Sequence, residues 1–247
     1  MAEVVNILCL KWGKLYGPEY VNRLRRGVAR HLKRPHRFVC FTSDGTGLDP
    51  EVEVFPIYDV DLPKHVAFTP WRKLGLFRDD LPVRGPSLFL DLDLVITGPM
   101  DRFFDHEPDK IPIIHNWVEA YKIFKRRPEI GNSSVFRFEA GKCGFVVEKY
   151  LSEKEWAVKT FWPPQTYLTE CIRPKMTYWP EDWVRSFKRH CLPPFPLNHF
   201  VTPKFPEGAS IVAFHGWPHP HEAIAGYKGE RPHHRCRPTP WVAEQWY

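Results

Sequence analysis

The chain has 247 residues, 43% hydrophobic and 15% aromatic, enough for one sizeable domain with its own core. Twenty-six prolines spread along it weigh against a helical bundle, and no stretch approaches the ~20 apolar residues of a membrane-spanning helix. A formal charge of +6 with twelve His biases the surface towards nucleotides, nucleic acid, anionic lipid or acidic polymers without specifying a fold.

Residues 4–10 form a short apolar run that predicts a buried central strand. A loop at 11–17 follows, and Pro18 and Glu19 then open a helix with Tyr20, Val21, Leu24, Val28 and Leu32 at helical spacing. Residues 37–42 predict a second strand, stopped by the turn chemistry of Ser43-Asp44-Gly45, and 52–57 a third, more peripheral one. A helix is expected to start near Pro70, with Trp71, Leu74, Leu76 and Phe77 facing inward. Strands alternating with helices predict a three-layer α/β domain with a mainly parallel sheet, whose ligands sit at the carboxyl ends of the strands. The loops around 11–17, 43–44 and 91–93 then converge on one crevice.

Residues 87–96 set Asp91 and Asp93 two positions apart in an otherwise apolar run. In a strand, a period of two puts both carboxylates on one face, where burial demands a compensating charge. No Lys or Arg lies within the run. Two readings stand: a divalent ion, Mn2+ or Mg2+, which hard oxygen ligands suit and which also holds phosphates, or a strand end where the acids meet solvent or distant Arg.

The second half predicts a strand at 110–116, a helix with a basic face at 117–127, and paired strands at 133–138 and 143–148. A short helix follows at 165–171, then a strand at 211–216, and residues 241–246 offer a helix or strand that lies back on the domain. The six cysteines show no metal-ribbon spacing and, with no leader peptide in view, fit a reducing cytosol, peripheral at most to the inner face of the membrane.

These residues resemble the GT-A glycosyltransferases, specifically the family of bacterial lipopolysaccharide galactosyltransferases and glycogenin. The likeness rests on the N-terminal strand and aromatic loop, Thr42-Ser43-Asp44, Trp71-Arg72-Lys73-Leu74, Asp91-Leu92-Asp93 and a late His-Gly motif. It implies an α/β/α nucleotide-binding fold in one domain, 1–247, with a nucleotide-sugar half at 1–105 and an acceptor half at 106–247. It also implies transfer of a hexose from a nucleoside diphosphate sugar, a UDP-sugar foremost, with retention of configuration, onto a glycan, glycolipid or protein. Asp91 and Asp93 take the roles of metal ligands, and His215 that of the third, although His215 stands directly before Gly216 where the family has its His three positions earlier. Lys73, with Arg72 beside it, falls where the family directs a base at the donor; His219 or His221 replaces a basic phosphate contact. Trp12 and Tyr16 offer rings to the base or simply pack their loop, and Ser43 and Asp44 meet base or ribose or simply turn the chain. Asn132-Ser133-Ser134 matches a segment bordering the donor sugar, with Ser134 in place of Gly, and Gln165 matches a residue at the reaction centre, with Pro164 in place of Asp.

Two rivals remain at this level. A sugar nucleotidyltransferase would carry a Gly-rich loop after the first strand, where only Gly13 stands. A nucleic-acid-binding protein would use basic patches such as Arg23-Leu24-Arg25-Arg26 and residues 122–127, which equally read as solvated helix faces.

Overall fold

The first apolar run becomes the middle of a seven-stranded sheet in the computed structural model, which describes residues 3–117 and 128–247. Every residue of β1 (Val5–Lys11) is buried, because parallel neighbours flank it on both sides. These are β2 (His36–Thr42), itself followed by the edge strand β3 (Val52–Phe55), and β4 (Gly85–Leu90). Beyond β4 the sheet turns antiparallel through β7 (Gly131–Ala140) to β6 (Ile111–His115), and ends on β8 (Met176–Tyr178), parallel to β6.

Side-chain alternation divides the core into two layers. Ile7, Cys9, Phe38, Cys40, Leu88 and Leu90 face one layer, and Leu8, Leu10, Val39, Phe41 and Phe89 face the other, as the period of two along a strand requires. The first layer is covered by α1 (Pro18–His31), whose Pro18 is preset for a first turn and whose Tyr20, Val21, Leu24 and Val28 are buried. It is also covered by a small sheet of β5 (Leu94–Ile96), β10 (Ile211–Ala213) and β9 (Val184–Ser186), in the order β5-β10-β9. The second layer holds a tight 3-10 helix, Pro70–Phe77, with α3 (Phe145–Thr160) and α4 (Gln165–Ile172).

Three elements differ from the sequence reading. The segment at 70–77 is a 3-10 helix with the expected inward face, and Gly75 is required there because a Cβ would lie 2.1 Å from the Tyr58 carbonyl oxygen. Residues 143–148 are not a strand: after a turn at Gly141, with φ +83°, they open α3. Phe145, Val146 and Val147 mimic a strand locally, but Val146 and Tyr150, one helical turn apart, both reach the core. The run at 87–96 is two strands in two sheets rather than one. The helix and basic patch expected at 117–127 lie, apart from Trp117, outside the described residues.

The C-terminal part packs back on the first layer through α5 (Pro220–Ala225) and α6 (Pro240–Gln245). Trp246, 3% exposed, meets the Tyr20 ring edge-on with centroids 5.0 Å apart. All six cysteines are buried and unpaired, with Cys9 and Cys40 directly opposite in β1 and β2.

Candidate active site

The two acids occupy the turn where the chain leaves one sheet for the other. β4 ends at Leu90; the Asp91 amide still donates to Ser134 O (2.9 Å), and after Leu92 the Asp93 carbonyl accepts from Phe214 N (3.0 Å). Both acids therefore lie at the carboxyl end of β4, though in a turn and not on a strand face.

Asp91 has a cation close by. Lys73 is 5% exposed, and its Nζ lies 2.8 Å from the Asp91 carboxylate and 2.9 Å from Ser133 O, with Ser133 Oγ at 3.2 Å. The charge that the acid run lacks is thus supplied in part by a lysine 18 positions upstream. Asp93 is partnered differently: Tyr16 Oη donates to its Oδ2 at 3.1 Å. Burial, followed by the neighbouring charge of Asp91, pushes the Asp93 carboxyl up to about 7, against the smaller opposing effects of Tyr16 and Lys73. Burial likewise raises the Tyr16 phenol strongly, so it remains a donor.

Tyr16 is wedged between α1 and the C-terminal part. Its ring stands 4.7 Å from that of Tyr20 and 5.6 Å, edge-on, from that of His219. Tyr20 Oη in turn pairs with His221 Nδ1 at 2.6 Å. His219 caps α5: its side chain accepts from the Glu222 backbone N–H, and the Glu222 carboxylate accepts from His219 N at 2.7 Å.

A cavity of about 330 Å3 opens over this turn, lined by Trp12, Tyr16, Phe68, Lys73, Asp91 and Asp93 among others. Trp12 is fixed by its indole N–H on Phe68 O at 3.3 Å. The expected sugar-side segment borders the same place. Ser133 N donates to Gln165 Oε1 at 3.4 Å, so Ser133 links Gln165 to Lys73, while Asn132 Oδ1 accepts from Ser134 N at 3.0 Å.

Three further candidates, Ser43, Asp44 and His215, stand apart from that lining. Ser43 and Asp44 are exposed at the end of β2, where Asp44 Oδ1 accepts from Thr46 N at 2.9 Å and the carbonyl of Asp44 accepts from Lys11 Nζ at 3.2 Å. The Asp44 side chain serves the turn, and neither residue lines the cavity. His215 follows the residue bonded to Asp93, but its Nε2 pairs with Ser186 Oγ at 2.6 Å and its ring stacks on Trp117, centroids 5.0 Å apart. Burial, reinforced by Lys188, Arg189 and His190, pushes its pKa down to about 4, which keeps the ring neutral.

Ser133, Ser186 and Trp117 were not singled out as site residues from sequence. Ser133 sits inside the Asn132 motif, whereas nothing local marks Trp117 or Ser186. Among the described residues no three His, Cys, Asp or Glu side chains gather as a metal cage. The donor chemistry nonetheless fits a hard divalent ion at Asp91 and Asp93, since Lys73 bonds Asp91 directly while the side chain bonded to Asp93 is the neutral phenol of Tyr16.

The mostly parallel seven-stranded sheet, with a second small sheet beside the acids, is a fold similar to that of the GT-A glycosyltransferases. The galactosyltransferase LgtC, crystallised with donor and acceptor sugar analogs, is 12% identical and superposes with a TM-score of 0.60 over 87% of this chain and 88% of its own. The bifunctional glycosyltransferase WbbM gives a TM-score of 0.60 at 12% identity, and the glycosyltransferase GlyE of Streptococcus pneumoniae, in its apo form, 0.57 at 11%. Each matches 89% of this chain, which spans 47% of WbbM and 56% of GlyE. No protein-family model matches the sequence, and no curated protein matches it.

Proposed function

We propose that this chain is a metal-dependent glycosyltransferase that moves a hexose from a nucleoside diphosphate sugar, a UDP-sugar foremost, to a glycan, glycolipid or protein acceptor. The observation that carries the reading is the acid pair in the turn after β4, beside a cavity lined by Trp12 and Lys73. Ligands of open α/β sheets bind at such carboxyl ends.

Asp91 and Asp93 would hold Mn2+ or Mg2+, and when bound the ion would neutralise the diphosphate and the charge that grows on it as the sugar leaves. Tyr16 keeps Asp93 oriented through its phenolic O–H. His215, neutral and with Nε2 engaged by Ser186, would have to turn towards the acids for Nδ1 to serve as the third ligand, since the three side chains do not gather as they stand. Trp12 offers a flat face to the base. Lys73 and Gln165, bridged by Ser133, border the donor sugar, with Asn132 behind them. His219, at the start of α5 and edge-on to Tyr16, would be the phosphate-side contact. No side chain here is an evident nucleophile, so departure assisted by the ion with attack from the same face is the favoured course.

Calorimetry with UDP, GDP, ADP and CDP, with and without Mn2+, tests this on the parent chain and on Asp93→Ala. One nucleotide should bind only with the ion and lose at least about tenfold in affinity in the variant. Silence from all four would make Asp91 and Asp93 structural acids.

A further inference from the structure

Between β9 and β10 the chain makes an excursion, residues 187–210, that leaves β9 at Ser186, the residue paired with His215. Its tip carries four exposed apolar side chains within seven positions: Phe195, Leu197, Phe200, which is 76% exposed, and Val201. Such a cluster is costly in water and marks a contact surface.

Hydrogen bonds from Asn198 and His199 tie the tip to the C-terminal part. Asn198, 1% exposed, donates its Nδ2 to His233 O (3.3 Å) and Arg235 O (2.9 Å), and His199 Nε2 meets Pro232 O at 2.9 Å. These bonds seat it on β12 (Arg235–Cys236), which pairs with β11 (Tyr227–Lys228).

Both partners in this contact are basic. No acid occurs between Asp182 and Glu207 or between Glu230 and Glu244, while the first stretch contains four Lys or Arg and the second three. Lys204, Arg231 and Arg237 are exposed.

We propose that this protrusion docks on an anionic phospholipid bilayer, with Phe195, Leu197, Phe200 and Val201 entering the headgroup layer and the surrounding cations meeting lipid phosphates. Interfacial binding of this kind needs both apolar insertion and positive charge, and the loop supplies the two together. Charge selects lipid over a second copy of the chain, because two such basic faces repel. Since the loop starts at Ser186, docking brings the His215 side of the cleft towards the membrane.

Vesicle flotation of the full chain tests this without any sugar substrate, and so independently of the catalytic reading. The chain should bind phosphatidylcholine vesicles containing phosphatidylglycerol at low salt and bind pure phosphatidylcholine weakly. Leu197→Ser with Phe200→Ser, and separately Arg231→Gln with Arg237→Gln, should each lower binding about tenfold with an unchanged thermal midpoint. No binding to the anionic vesicles overturns the proposal, as does parent-like binding by the apolar variant. A general polyanion surface would also overturn it, and would appear as equal loss of vesicle and DNA-duplex binding in the arginine variant alone. So would a dimer abolished by the apolar variant with no vesicle binding.

Discussion

An amine as buried as that of Lys73 needs fixed partners in place of water, and here they are the Asp91 carboxylate and two oxygens of Ser133. Lys73→Met would fill the space but leave Asp91 facing a low-dielectric wall without its cation. We expect a loss of about 2 kcal/mol in urea unfolding, within the cost of stranding a hydrogen-bonded group. Lys73→Arg should not restore the parent value, since a planar guanidinium cannot replace a compact ammonium among three converging oxygens. The sequence pattern alone exposes the acids, because polar residues in an apolar run stand out. It cannot reveal which distant residue answers them: Lys73 sits beside Arg72 in an amphipathic stretch, and only the fold brings one of the two to Asp91. Asp44 shows the converse, since Asp-Gly chemistry marks a turn and the structure uses it as one.

At the level of elements, what was legible was what had length and period. β1, α1, β2 and α4 repeat their apolar residues often enough to declare themselves, and the edge position of β3 follows from its mixed pattern. The three-residue strands β8 and β9 are too short to show a period, and the start of α3 looks like a strand until its next turn is read. The exit of α1 offers a test. There Asp101 accepts from Lys33 N at 3.0 Å and Arg34 N at 3.1 Å, with Arg34 Nε at 3.4 Å. Partial burial alone would raise its pKa, but the two backbone donors and the guanidinium outweigh that and hold it below the usual carboxylate range. A depressed folded value means stability that is fully present above the unfolded pKa of ~3.9 and disappears as pH falls through the folded one. Asp101→Ala should therefore cost about 1 to 2 kcal/mol at neutral pH and much less below pH ~3, as read from urea midpoints at both.

Across the whole molecule, β5 from the first half of the chain shares a small sheet with β9 and β10 from the second half, and the last residues close over the first helix. Trp246 is the key to that closure: it packs on Tyr20 and lies under the Arg23 guanidinium, 4.2 Å from its ring. Trp246→Ala should cost about 3 kcal/mol and lower the thermal midpoint by roughly 10 °C, measured by circular dichroism. Tyr20 links this packing to Tyr16 and His221, so the same variant should also weaken nucleotide binding if the cleft is the donor site. The antiparallel pairing of β5 with β10 has a further effect. It joins Asp93 to the neighbour of His215 across more than a hundred residues of intervening chain. During synthesis from the N-terminus the acids, Lys73 and Tyr16 emerge early, while the strand that clasps them appears near the end. The cleft is therefore finished last, and a ribosome-bound chain stalled before residue 211 carries its acids with nothing yet to shut them in.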